Sequence, residues 1–226
     1  MIALILARKG SKGLPLKNKK ILIDKPLVLY TIEAAQNSRK ITKIYVSTDD
    51  DEILKIAKEA GVIAEELRPD FLSTDNSLAI DTYLYMIDYW KSKGLNVKDF
   101  IVLQPTSPLR TAKDIDEAIS LFENKKADSV ISYTKETHPV SWHKYINQDL
   151  TISSIFEDKI ENRQEKRPTY YPNGAIYIFK TELLKKKKYF SEKSFAYVMS
   201  RKSSVDIDDD MDFKYAEFLL KTMSNG

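Results

Sequence analysis

Asp206 and Asp208 flank a single isoleucine in SVDIDDDMD, residues 204–212. In an extended segment alternate side chains share a face, so the two carboxylates would project together. Two hard oxygen donors on one face, with room for phosphate oxygens, suit Mg²⁺. The same run also suits a helix start, with Asp209 or Asp210 as N-cap and Asp212 in the first turn. The two uses draw on different residues and are compatible. Near the other end, LARKGSKGLPLKN (6–18) places Arg8, Lys9 and Lys12 directly after the apolar run MIALILA. Gly10 and Gly13 allow positive φ and close backbone approach there. Such a loop can wrap a polyphosphate, and a solvated basic turn would use the same residues. In combination, a basic glycine loop and an acidic pair suggest a nucleoside triphosphate handled with Mg²⁺. The chemistry is then nucleotidyl or phosphoryl transfer, with cations cradling the phosphates while one of them is attacked.

Other chemistries lack their residues. The chain has no cysteine, which excludes disulfides and thiolate metal sites and fits a reducing compartment. His138 and His143, its two histidines, have no metal-ligand spacing and are read as structural. There is no G-x-S-x-G elbow, no GxxxxGK[ST] loop and no G-x-G-x-x-G fingerprint. A net charge of +3 places no demand for nucleic acid or an anionic membrane. No stretch is long enough to span a bilayer, and the first apolar run is too short for a signal peptide, so a cytoplasmic location is expected.

These residues need elements to hold them. At 226 residues and 42% apolar composition the chain can bury a real core, and a single domain over 1–226 is expected. IALIL, KIYVST, DFIVLQ, SVISY, NGAIYIF and FAYVMS read as strands. Between them, PLVLYTIEAAQNS, EILKIAKEAG, SLAIDTYLYMIDYWKSKG and AKDIDEAISLFEN have helical spacing, and VDIDDDMDFKYAEFLLKTM closes as strand, acidic turn and helix. Asp49 and Asp50 are the N-cap candidates for the second helix, and KKKK (185–188) reads as a solvated helix end. The alternation predicts an α/β fold with a mainly parallel sheet between helices. Ligands gather at the carboxyl ends of such strands, which puts 8–18, 47–49 and 104–110 along one crevice. From about 134 to 170 the alternation fails. That stretch carries Trp142, Tyr145, Ile155 and Phe156, and is expected to pack on a second subunit.

LARKGSKGLPLKN, RPDFLSTDNS, LQPTSPLRT, YPNGAIYI and SVDIDDDMD resemble, in order and spacing, the bacterial CMP-sialic acid synthetases, or acylneuraminate cytidylyltransferases. The CMP-Kdo synthetases are a more distant match. The resemblance implies a Rossmann-like nucleotidyltransferase fold, a homodimer, and Mg²⁺-dependent formation of a CMP-sugar and pyrophosphate from CTP and a 2-keto sugar acid. Carried over by position, Arg8, Lys12, Lys17 and Asn18 handle CTP, and Arg68 and Ser77 lie at the cytosine end. Gln104, Thr106 and Ser107 meet the sugar near its reacting hydroxyl. Asn173, Tyr177 and Phe190 complete the sugar pocket, with Arg163 a basic residue of the dimerisation excursion counted with them. Asp206 and Asp208 are the metal ligands, and Arg8, Lys17, Gln104, Asp206 and Asp208 form the catalytic set. Tyr171 and Ser141 stand where one branch of the family has arginine and lysine, which leaves the sugar open among N-acetylneuraminate and its legionaminic or pseudaminic relatives. A nucleotide-sugar-dependent glycosyltransferase would normally place its metal acids after a central strand, where this chain has QPTSPLR. A binding protein without turnover is the non-enzymatic alternative.

Overall fold

The computed structural model describes residues 1–10, 13–74, 76–156 and 167–224. Its centre is a six-stranded sheet built from β1 (Ile2–Leu6), β4 (Lys43–Ser47), β5 (Asp99–Leu103), β6 (Ser129–Lys135), β9 (Tyr170–Lys180) and β10 (Ser194–Val198). The strand order is β10-β6-β9-β5-β1-β4, and β9 alone of the six runs antiparallel to its neighbours. Two small two-stranded sheets lie outside it. One is β2 (Ile21–Leu22) with β3 (Lys25–Pro26), and the other is β7 (Lys144–Ile146) with β8 (Ile152–Ser154).

The central strands are apolar almost throughout because both faces of the sheet are covered. Ala3 and Ile5 of β1 and Ile101 and Leu103 of β5 join one buried cluster with α1 (Leu27–Gln36), α2 (Asp51–Glu59) and α4 (Ala112–Lys125). The alternate residues Leu4, Phe100 and Val102 face α3 (Ala79–Ser92) and α5 (Thr181–Lys185). Trp90 is fully buried there, edge-on to Phe100 with ring centroids 5.2 Å apart. A third cluster joins α6 (Asp210–Ser224) to the start of the chain, with Phe213, Ala216 and Leu219 against Leu14, Leu22 and Leu27.

Asp50 is the N-cap of α2, accepting from the Glu52 and Ile53 amides, whereas Asp49 turns away to meet Arg68. Asp209 accepts from the Asp212 amide and Asp212 from that of Asp209, a reciprocal cap that starts α6. The segment before that cap differs from the expected strand. Residues 205–208 form no strand among the described residues, and the Ile207 amide reaches across to the Thr106 carbonyl at 2.9 Å. The expected irregular excursion contains the β7–β8 hairpin, whose turn is held by Asn147 and Thr151. The four lysines 185–188 are exposed at the end of α5. Among the described residues no helix is long and apolar enough to cross a membrane.

Candidate active site

The parallel strands deliver polar segments to one edge of the sheet, as their carboxyl ends should. Arg8 follows β1, Thr48 and Asp49 follow β4, and Gln104 to Ser107 follow β5. Antiparallel β9 brings Asn173 and Gly174 to the same edge from the opposite direction. Between these segments lies a cavity of about 530 Å³ lined by Arg8, Lys17, Asn18, Arg68, Ser77, Gln104, Thr106 and Asp208 among others. Leu72, Thr82 and Tyr83 add a partly apolar wall.

The cationic side is held in place by its own contacts. Lys17 is 9% exposed, and its ammonium donates to the Ile207 carbonyl and to Asp208 Oδ1, the latter at 3.2 Å. Asn18 Nδ2 donates to the Arg8 carbonyl at 2.9 Å, so the loop is tied to the end of β1. Arg68 is buried, with Nε on Ser73 Oγ at 3.1 Å and Nη2 at 3.4 Å from Asp49 Oδ1. Burial pulls its guanidinium below the ordinary value, Asp49 acts the other way, and neighbouring Arg8 adds to the pull. The Ser77 hydroxyl donates to the Phe71 carbonyl at 2.8 Å and closes the turn between Arg68 and α3.

The acidic side meets the opening loop closely. A Cβ on Gly13 would collide with the Asp208 carbonyl, so glycine lets the two segments touch. The Asp208 side chain is 83% exposed at the cavity, whereas Asp206 is partly buried behind it. Burial pushes the Asp206 carboxyl above its ordinary range. A hydrogen bond from Thr106 and the charge of Lys17 oppose that push, and Asp208 and Asp212 add to it. Asp206 Oδ1 is buried without a hydrogen-bond partner. At Gly174, whose φ is +76°, a methyl would lie 2.8 Å from Gln104 Oε1 and 3.0 Å from Asp206 Oδ2. The amide and the carboxylate therefore converge over a residue that has no side chain.

The remaining predicted residues are distributed around the cavity or away from it. Ser107 is fully buried one step behind the wall, its hydroxyl without a partner. Asn173 is 2% exposed and spent on the fold, with its oxygen accepting from Ser132 Oγ at 2.5 Å and its amide donating to Ser204 Oγ at 2.8 Å. Tyr177 stacks on Phe179 with centroids 6.2 Å apart, near enough for the Asp206 charge to help burial raise its phenol pKa. Phe190 is 55% exposed and does not line the cavity. Lys12 and Arg163 lie outside the described residues. Two residues gain importance only in three dimensions. Gly174 is visible in sequence as part of PNG, and Arg110 as an arginine closing the otherwise uncharged run LQPTSPL.

Residues 2–224 match the profile of the cytidylyltransferase family. An N-acylneuraminate cytidylyltransferase of Escherichia coli O18:K1:H7 is 38% identical over 218 residues, covering 96% of this chain and 51% of that protein. A CMP-N,N'-diacetyllegionaminic acid synthase of Legionella pneumophila is 32% identical over 225 residues, covering 98% of this chain and 96% of the relative. The chain thus spans about half the length of the N-acylneuraminate relative and nearly all of the legionaminic one. Among solved structures, a CMP-2-keto-3-deoxy-manno-octonic acid synthetase complexed with CTP superposes with a TM-score of 0.73 at 15% identity, over 98% of each chain. A 4-diphosphocytidyl-2C-methyl-D-erythritol synthase of Anaerococcus prevotii gives 0.62, also at 15% identity, over 97% of this chain and 98% of that one. At such identities the likeness establishes the fold, which is the Rossmann-like nucleotidyltransferase fold. With a sheet of that topology and a match over residues 2–224, this chain belongs to the cytidylyltransferase family.

Proposed function

We propose that the chain makes a CMP-sugar from CTP and a nine-carbon 2-keto sugar acid, of the N-acetylneuraminate or legionaminic/pseudaminic type, with release of pyrophosphate. The observation that carries this reading is the cavity of about 530 Å³ whose lining gathers Arg8, Lys17 and Arg68 with Gln104, Thr106 and Asp208. A triphosphate suits the cationic residues. The pyrimidine end takes the part near Arg68 and Ser77, and the sugar acid approaches Gln104 and Thr106. The names of the E. coli and Legionella relatives support that sugar class.

The 2-hydroxyl of the sugar acid attacks the α-phosphorus in line. An O–P bond forms, the hydroxyl's O–H bond breaks with its proton released to solvent, the α–β phosphoanhydride bond breaks, and pyrophosphate leaves with the bonding electrons. The protein acts mainly by positioning and by charge. Two of the three ammonium hydrogens of Lys17 are directed to Ile207 and Asp208, which leaves the third for a phosphate oxygen. Gln104, set beside Asp206 over Gly174, orients the attacking hydroxyl.

Asp206 and Asp208 would hold Mg²⁺, and the buried, partnerless Asp206 Oδ1 supports that role. Among the described residues no group of three or more His, Cys, Asp or Glu side chains gathers to bind a metal. A two-carboxylate set is what Mg²⁺ uses when phosphate oxygens and water fill its octahedron. When bound, the ion neutralises charge on the α-phosphate and lowers the pKa of the attacking hydroxyl.

The reading extends to a cytoplasmic homodimer of single-domain subunits. The excursion exposes Trp142, Tyr145, Ile146, Ile152 and Phe156, an apolar surface that a second copy would cover. The test of function is pyrophosphate release from CTP with a panel of N-acetylneuraminate, legionaminic-type, pseudaminic-type and eight-carbon Kdo acceptors. Release with at least one nine-carbon acid is expected. Release with Kdo alone, or with none of them, overturns the reading.

A further inference from the structure

Arg110 is 2% exposed, and every group it donates to is neutral. Its Nη1 donates to the carbonyls of Gln104 and Ala175, each at 3.0 Å, and its Nη2 to Thr31 Oγ1 at 2.7 Å, while Nε is buried without a partner. Asp114 acts on it only through its charge, and a buried guanidinium with no carboxylate hydrogen-bonded to it is an expensive way to join two strands, because apolar packing avoids the desolvation of the charge. Its location suggests why it is there. Leu103 is the last β5 residue paired with β9, opposite Ile176. Continuing that register, Gln104 and Ala175 are the next pair, and there the strands part to open the site. Their carbonyls lose ladder partners at that point, and one guanidinium edge serves both. Thr31 Oγ1 also donates to the Gln104 carbonyl, at 3.3 Å, so this peptide is gripped from two sides. One residue beyond Ala175, Gly174 brings Gln104 Oε1 and Asp206 Oδ2 together.

We propose that Arg110 is a positioning residue for the transfer step: it bridges the point where β5 and β9 diverge and fixes the Gln104 side chain opposite Asp206. The proposal rests on the reading above, in which Gln104 meets the reacting hydroxyl. Arg110 is buried behind the cavity wall and is not among the residues that line it.

The test compares wild type with Arg110→Lys and Arg110→Ala. Lysine keeps the charge but cannot serve three acceptors in a plane. Per folded molecule, Arg110→Lys should lose about tenfold to a hundredfold in kcat, with KM for CTP within about threefold of wild type. Added methylguanidinium should restore part of the kcat of Arg110→Ala. A proportionate loss of Tm and of active fraction, with kcat per folded molecule unchanged, would overturn the proposal. An activity-free arm separates this from the function itself. Amide exchange in Arg110→Lys should accelerate at Ser107 and Ile207, the amides anchored to and from this turn, and not at Ile101 in the middle of β5. Uniform acceleration, or none, overturns the positioning role whether or not the right sugar acid has been found. Absence of pyrophosphate release by wild type would instead sink the functional reading.

Discussion

Asp206 combines a partnerless buried oxygen with a carboxyl pushed above its usual range, and both features suit the cation proposed for it. The consequence is a conflict between stability and activity at one atom. Asp206→Asn removes a partly buried charge, so without Mg²⁺ the variant should gain on the order of 1 kcal/mol in urea denaturation, as the desolvation of the carboxylate is relieved. The same variant should lose Mg²⁺-dependent turnover. Asp208→Ala takes one partner from the buried Lys17 ammonium and should cost no more than about 1 kcal/mol, the carboxylate being exposed, while lowering kcat on the order of a thousandfold, the scale of several kcal/mol of lost transition-state stabilisation. Near-normal activity of the double variant across a Mg²⁺ titration would refute the metal assignment. The meeting of Lys17 with the Asp206–Asp208 segment was legible because residue types and spacing pointed both to one crevice. Gly174 and Arg110 were not, because their roles arise from strands that meet only in the fold.

The elements were legible where hydrophobic period and punctuation agreed, as in α2 between its aspartate cap and Gly61. They were less so at 205–208, where alternating residues suggested a strand but the segment has no neighbour to pair with over its length. The β7–β8 hairpin stayed hidden because three-residue strands carry too little alternation to register. At α2 the cap has a measurable pH signature. Burial pushes the Asp50 carboxyl up, but the hydrogen bond from Lys19 and the amides of Glu52 and Ile53 outweigh it, so the net shift is downward. A carboxyl depressed in the folded state stabilises fully above its unfolded pKa, and that contribution fades as pH falls through the folded value. Asp50→Ala should therefore cost about 1–2 kcal/mol near neutral pH, with the deficit shrinking below pH ~4. Urea titrations of both proteins across pH check it, and a pH-independent deficit would contradict the cap's ionic character.

The whole molecule is judged by its assembly and its choice of base. Trp142 and Phe156 are about half exposed on the excursion, so Trp142→Asp with Phe156→Asp should convert a dimer into a monomer in sedimentation. A wild-type monomer at micromolar concentration, or unaltered assembly of the variant, would count against the proposed interface. On the proposed placement the base meets the part of the cavity lined by Arg68 and Ser77, and cytosine's amino group needs acceptors where uracil presents a carbonyl. CTP should accordingly exceed GTP and ATP in kcat/KM by several orders of magnitude, and UTP by less. Equal use of CTP and GTP would sink the assignment of the base.

The grip of Lys17 on Ile207 spans 190 residues of sequence. Closing so long a loop is an entropic expense that local helices and hairpins never meet, and contacts of this kind form late in folding. On a ribosome the sheet's first strands can emerge and pair while the acidic segment is still inside the exit tunnel. The crevice would therefore close only once residue 207 has cleared the tunnel, well after the loop that carries Lys17 has emerged.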